Sequence, residues 1–231
     1  MKIPNGLAAL VLFTLFLPGC RYINWAKEQL PQGRKLTYDS NIVRRNIRSL
    51  HIYDQFDTLA HFDALWLSDE VRCMYAQVYA QKHGLCDERY EEFERRQLEE
   101  NNYYISFYLL AAISDDGKTA LNDKNSVWSI YLEIDGCVYQ PVEIKLIDEL
   151  APEYQLFFGI RLTNFKKSYL VKFDARDIDG EFLIDSTTKY IDLWFKKVDR
   201  QAGMRWYLSP EGWVLPVRKK DCDILSYDLR T

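Results

Sequence analysis

The chain has 231 residues, of which 48% are hydrophobic and 15% aromatic, and its formal net charge is -4 at pH 7. This composition is sufficient for the core of one domain, or of a small helical part on a larger β part. Neither half of the chain carries a basic stripe, so the charge argues against nucleic acid as a partner.

The first twenty residues combine a positive start, an apolar run and a break before a cysteine. Lys2 supplies the charge, the stretch from Leu7 to Leu17 is almost entirely apolar, and Pro18-Gly19-Cys20 ends it. A membrane-spanning helix needs about 20 apolar residues, so the run is short for an anchor helix. An ordinary secretory signal fits the length. The cysteine directly after the break favours lipidation over plain secretion.

Leu17-Pro18-Gly19-Cys20 resembles the lipobox of a bacterial lipoprotein signal. The resemblance implies that residues 1–19 are a signal peptide that is removed, and that Cys20 is diacylated and becomes the first residue. It also implies a membrane partner, held through the acyl chains on Cys20. Arg21, where an aspartate favours the inner membrane, indicates the outer membrane, with the protein on its periplasmic side or at the cell surface. Loss of Lys2 changes the formal net charge from -4 to -5.

The mature chain is predicted to begin with a tether and a helical region. Residues 20–39 are polar and interrupted by Pro31-Gln32-Gly33, which predicts the tether. Residues 40–102 are the predicted helical region, and Ser40 is the expected N-cap of its first helix. Apolar side chains then recur at helical spacing, with a phase shift near His51: Val43, Ile47, Leu50, Phe56, Leu59 and Phe62.

The second predicted helix has the clearest boundaries. Ser68 precedes it, Asp69-Glu70 lie in its first turn where they complement the helix dipole, and Gly84 is a natural C-cap. Asp87 is the expected cap of a third helix over residues 88–101, whose Glu and Arg content indicates a solvated face.

Residues 103–231 show the period of strands. Tyr103 to Ile113 predicts a buried strand, and residues 127–135 alternate before an Asp135-Gly136 hairpin turn. Further strands are predicted at residues 138–146, 154–160, 169–173 and 191–195, and in a last hairpin that joins 204–208 to 213–217. Short strands without intervening helices predict an antiparallel immunoglobulin-like β-sandwich. The fold is therefore expected to be α+β, with the N-terminal helical segment packed on the sandwich.

Part of the folded body resembles a group of uncharacterised bacterial lipoproteins with a helical front and a β-sandwich rear. The similarity covers about residues 40–175. It is carried by Phe56-Asp57-Thr58, by Leu67-Ser68-Asp69-Glu70 ahead of a Tyr-rich helix, and by the stretch from Ser126 to Glu133. These motifs are structural in kind, and the resemblance implies no activity.

No sequence motif indicates catalysis. Asp57 and His61 would share one face of a helix, with Asp54 nearby, and such a cluster is a candidate metal site. The alternative, which we favour, is a surface ion-pair row with an ordinary histidine. No zinc-protease, phosphate-loop or nucleophile-elbow motif occurs. We therefore assign no catalytic residue, no metal ligand and no cofactor.

Four cysteines follow the lipidation site: Cys73, Cys86, Cys137 and Cys222. An oxidising periplasm permits disulfides. A helix from Cys73 to His83 would carry the chain about 15 Å away, at 1.5 Å per residue. The next three residues recover at most about 10 Å, so no Cys73–Cys86 bond is expected. A Cys137–Cys222 bond stays an open alternative, and buried free thiols are the default expectation for all four.

Two functional hypotheses remain. The first is a non-enzymatic binding or assembly module that meets an envelope protein partner through exposed aromatic side chains. The candidates are Tyr131, Tyr139, Trp194 and Trp213. The second is an envelope hydrolase acting on peptidoglycan or polysaccharide. It requires a cleft between the helices and the sheets, lined by residues such as Asp57, His61 or Glu143.

Overall fold

The computed structural model describes residues 38–114 and 120–208, which form a mixed α+β fold. The helices are α1 Ser40–Asn46, α2 Asp69–His83, α3 Asp87–Glu99 and α4 Pro152–Phe158, with 3-10 turns at Glu100–Asn102 and Gly159–Arg161. The strands are β1 Ile47–Asp54, β2 Asp57–Trp66, β3 Tyr104–Ile113, β4 Ser129–Ile134, β5 Cys137–Tyr139, β6 Glu143–Ile147, β7 Lys167–Asp174, β8 Tyr190–Lys197 and β9 Arg200–Tyr207.

The strands form two antiparallel sheets that share one apolar core. The first sheet has the order β1-β2-β3-β7-β6, and the second has the order β5-β4-β8-β9. Phe62 of β2 stacks on Phe195 of β8 with ring centroids 4.1 Å apart, so side chains of the two sheets meet directly. Burial of such aromatic pairs is a large contribution to the stability of a core.

A second apolar core lies on the other face of the first sheet. Val43 of α1, Met74 of α2 and Phe157 of α4 pack there with Leu65 of β2 and Leu110 of β3. The first sheet is therefore buried on both faces where helices cover it. Within the described residues, no helix is both long and apolar enough to cross a bilayer.

Helix α2 confirms the boundaries predicted from its sequence. The Ser68 hydroxyl accepts from the Val71 backbone N–H at 3.4 Å, and Gly84 ends the helix with φ +61°. Gly84 adopts this left-handed conformation without the clash that a Cβ would cause. Helix α3 is also confirmed, but its N-cap is Cys86 rather than Asp87.

The helical prediction for residues 47–66 is wrong. Helix α1 begins after its N-cap Asp39, not Ser40, and ends at Asn46. The chain then forms the β1–β2 hairpin. Ile47 packs beneath the helices while Ile52 faces the core between the sheets. β2 is buried on both faces toward its end, so it loses the two-residue alternation that identifies strands, and its apolar residues can imitate helical spacing.

The strand prediction for residues 154–160 is also wrong, because this segment is helix α4 and a 3-10 turn. Pro152 lies in the first turn, and Tyr154, Phe157 and Phe158 are buried together at helical spacing. The predicted strand over residues 138–146 is divided between the two sheets, with Val138 and Val142 exposed rather than inward.

Several predicted features lie outside the described residues. These are the signal peptide, Cys20, most of the tether, Trp213, Cys222 and the last hairpin's second strand. The described part of that hairpin, β9, pairs with β8.

Candidate functional site

The candidate site lies on the helix-covered face of the first sheet, where that cover ends. Three successive cross-strand pairs of the β1–β2 hairpin point to this face: Ile47–Leu65, Ser49–Asp63 and His51–His61. The first pair is apolar and belongs to the second core. The next two pairs are polar, so the sheet surface changes from apolar to polar within about four residues of each strand.

Asp63 is the buried centre of the site. It is 1% exposed, although its neighbours along the strand, Phe62 and Ala64, are apolar and fully buried. Its Oδ1 accepts from the Ser49 hydroxyl at 2.5 Å, and its Oδ2 accepts from Nζ of Lys166 at 2.5 Å. The Lys166 side chain is only 7% exposed. A buried carboxylate requires such partners, because desolvation of an unpaired charge costs several kcal/mol.

The segment after α4 supplies the two basic residues. Gly159 ends the helix with φ +53°, a conformation that suits glycine, and the chain then crosses β1 and β2. Arg161 donates from Nε to the Ser49 hydroxyl at 3.3 Å and lies 3.8 Å from Asp63 Oδ1. Lys166 also donates to the Arg161 carbonyl at 3.1 Å. The segment is thus held against the sheet by charge-assisted hydrogen bonds.

Two stacked histidines continue the site toward solvent. The rings of His51 and His61 have centroids 3.7 Å apart and an interplanar angle of 26°. His61 Nε2 is buried 3.4 Å from Asp63 Oδ1, without hydrogen-bond geometry. Burial lowers the pKa of His61, Asp63 opposes this shift, and Lys166 and His51 add to it. The net effect favours the neutral imidazole.

These residues line an open groove of about 560 Å³. Lys166 and Asp63 are its most buried charged side chains, which we call its floor, and the stacked His51 and His61 also line it, as the histidine wall. Ile160 and Phe165 stand at its rim with 95% and 89% of their surface exposed. The volume lies within the range of about 300–1,000 Å³ that is typical of small-ligand sites.

The hydrogen bonding of Ser49 favours binding over nucleophilic catalysis. Its proton is directed to a carboxylate already paired with Lys166, and its oxygen accepts from Arg161. A serine nucleophile requires a neighbouring base that can take its proton. Among the described residues, no hydrogen bond joins Ser49 to His51 or His61.

The structure does not bring the sequence-predicted metal or cleft residues together. Asp54 and Asp57 face each other at the hairpin end, and Asp54 binds Arg200 at 2.5 Å. Four residues along a strand place Asp57 about 13 Å from His61. Glu143 lies on β6, 3.8 Å from Lys172. Residues 38–114 and 120–208 hold no cluster of three or more metal-ligating side chains.

Of the cleft residues expected for a hydrolase, only His61 lines the groove. No sequence pattern predicted four of the other lining residues: Ser49, Asp63, Arg161 and Lys166. Asp63 carried a usable signal, since an acid directly between Phe62 and Ala64-Leu65-Trp66 implies a buried partner. The partner itself lies 103 positions away and has no local sequence signal.

The predicted aromatic surface is mostly half-buried. Tyr131 and Trp194 stack on the second sheet with centroids 6.4 Å apart. The Trp194 indole lies over Gly203, where an added Cβ would come within 2.9 Å of the ring. Tyr139 packs partly against the core. Cys86 and Cys137 are exposed free thiols, so the expectation of buried thiols is wrong for both.

The architecture defines the class of protein: a mixed α+β chain with two antiparallel sheets and a charged groove beside its helical cover. In the comparisons with known proteins, no family model, curated protein or solved structure matched the chain.

Proposed function

We propose that this protein is a lipid-anchored component of the bacterial envelope that works as a non-enzymatic binding or assembly module. The anchor is Cys20, and the address is the outer membrane, on its periplasmic side or at the cell surface. The contact site is the groove beside Asp63. We also propose that the two facing sheets are an immunoglobulin-like β-sandwich with the helical segment packed on it, which the common core supports.

The observation that carries the binding proposal is the contrast between the groove's floor and its rim. The floor is committed to internal bonds, because Asp63, Lys166 and Ser49 bind one another. The rim is uncommitted, since Ile160 and Phe165 expose nearly all of their apolar surface. Large apolar side chains grouped beside a groove are typical of a contact site.

A photo-crosslinking experiment tests the groove. A benzophenone amino acid replaces Phe165 in cells, and the same group at the exposed Ile178 is the control. We expect a discrete adduct from position 165 that mass spectrometry identifies as one envelope species. Equal adducts from both positions, or none from position 165, would contradict the proposal.

The anchor is tested separately. We expect the wild-type chain to fractionate with membranes and to incorporate labelled palmitate, and Cys20→Ser to do neither. Only a thiol at this position offers the nucleophile for the thioether. Cys137→Ser removes an exposed thiol elsewhere and should leave both behaviours unchanged. Labelling of the Cys20→Ser chain, or unmodified wild-type protein free in the periplasm, would refute the anchor.

The second candidate function is an envelope hydrolase. One observation favours it: His61, Asp63 and Ser49 line the same groove. Such an enzyme should release soluble fragments from peptidoglycan or polysaccharide, and Ser49→Ala and His61→Ala should each abolish the release. Absence of release by the wild-type chain would eliminate this candidate.

A further inference from the structure

The groove carries more positive than negative charge. Its one carboxylate, Asp63, is paired with Lys166 at 2.5 Å. Arg161 is therefore left as an additional cation, 43% exposed. Its Nε is used by Ser49, whereas its two terminal nitrogens have no acceptor among the described residues. A guanidinium with free terminal nitrogens presents a planar fork that matches the oxygens of a carboxylate or phosphate.

Apolar and planar side chains line the same groove as the Arg161 guanidinium. Ile160 precedes Arg161 directly, and Phe165 follows on the same crossing segment; both line the groove. The two stacked imidazoles also line the groove and add planar surface. A ligand that used only the arginine would leave this surface in water and would gain nothing from burying it.

His61 in the histidine wall has charged or ionisable neighbours on three elements. His61 faces Asp63 on its own strand, His51 on β1, and Lys166 on the crossing segment, while β3 contributes only the uncharged Ala112. Arg161 adds a further positive charge on that segment. Protonation of either imidazole would add positive charge to a groove that already has an excess.

We propose that the groove binds an oxyanion, a carboxylate or a phosphate, that is attached to an apolar group, preferably an aromatic ring. This refines the proposed binding function and rests on it. Arg161 binds the oxyanion through its terminal nitrogens. Phe165, Ile160 and the imidazole wall cover the apolar group, and Asp63 with Lys166 holds the floor.

Calorimetric titration of the full chain tests the ligand class with five probes. Phenylacetate and phenyl phosphate carry both features, and the difference between them separates carboxylate from phosphate. Phenylethanol lacks the charge, while acetate and inorganic phosphate lack the ring. We expect at least one of the two complete probes to bind, and the incomplete probes to bind at least about tenfold more weakly, because each loses one set of contacts.

Matched variants assign the effect to the guanidinium. Arg161→Gln should weaken binding of the complete probe by about tenfold or more, since it removes the charge-assisted bonds. Arg161→Lys keeps the charge without the fork and should retain part of the affinity. Arg95→Gln makes the same charge change on α3, where Arg95 is 70% exposed near Glu99, and should have no effect. Equal affinities for Arg161→Gln and Arg95→Gln, or tight binding of phenylethanol, would overturn the proposal.

The crosslink from position 165 separates the proposed binding function from the oxyanion assignment. If that adduct forms and no oxyanion probe binds, the binding module stands and the oxyanion assignment is wrong. If neither the adduct nor probe binding is observed, both are wrong.

Discussion

Two buried ionic clusters lie on the helix-covered face of the first sheet, and they differ in what surrounds them. Arg72 and Asp63 are each 1% exposed. Arg72 donates to Asn101 at 2.6 Å and to Glu100 at 2.8 Å, and Lys172 donates to Glu100 at 2.9 Å. Both clusters thus pair a buried charge with several polar partners, as desolvation requires.

The Arg72 cluster holds elements of the helical cover together. Asn101 donates to the Leu67 carbonyl and to Asp69, which joins the 3-10 turn to the start of α2. Burial raises the pKa of Glu100, but Arg72 and Lys172 outweigh it, so the net pKa is lowered. The Asp63 cluster instead opens into a groove. The same chemistry is structural where elements enclose it and becomes available for binding where the cover ends.

The largest effect is expected from Arg72→Ala. It removes the bonds to Glu100 and Asn101, although Glu100 keeps Lys172, and it empties the space of a fully buried side chain, so the free energy of unfolding should fall by about 3–5 kcal/mol. Arg72→Met fills the same space without charge and should lose clearly less. Chemical denaturation measures both. Equal losses for the two substitutions would show that the lost pairing, which both variants share, accounts for the whole effect and that filling the space contributes nothing.

Asp63→Ala should have the next largest effect, about 1–3 kcal/mol. It leaves Lys166 without its carboxylate, but water in the groove can solvate the ammonium group, so the loss is smaller than for Arg72→Ala. The double variant Asp63→Ala/Lys166→Met removes both charges and should recover part of the stability. A loss as large as that of Arg72→Ala would mean that water in the groove does not solvate the ammonium group of Lys166.

A smaller effect is expected from pH, and it acts through His61. Because burial lowers the pKa of His61, the unfolded chain binds more protons than the folded chain below the ordinary histidine value. Stability should therefore decline as the pH falls from about 7 to about 5.5. His61→Gln should flatten this decline in denaturation curves, and His83→Gln, the control, should not. An unchanged slope in His61→Gln would contradict the assignment.

The smallest effect on stability is expected from Arg161→Gln. Ser49 keeps its bond to Asp63, so the free energy of unfolding should stay within about 0.5 kcal/mol of wild type. The oxyanion probe should nevertheless lose affinity. Loss of stability on the scale of Asp63→Ala would identify Arg161 as a structural member of the cluster, and the contrast between the two regions would be weaker.

Local sequence rules predicted the elements whose neighbours do not override them. Helix α2 follows from Ser68, its acidic first turn and Gly84. The hairpin after β4 follows from Asp135-Gly136, whose φ values of 49° and 83° are those of a tight hairpin turn. The same rules failed at β1–β2, where burial of β2 on both faces concealed the period, and at α4, whose buried Tyr154 and Phe158 also fit the spacing of a strand.

The sequence by itself therefore determined the strand-rich α+β character and the boundaries of α2, because caps, turns and simple amphipathic faces act between near neighbours. It did not single out Asp63, although this acid stands directly between Phe62 and Ala64. Only the tertiary structure decided that Lys166, 103 positions away, is its partner, and that Arg161 and the histidines share one groove. Contacts at such separations depend on strand register and on where the helical cover ends, and neither is encoded in a local pattern.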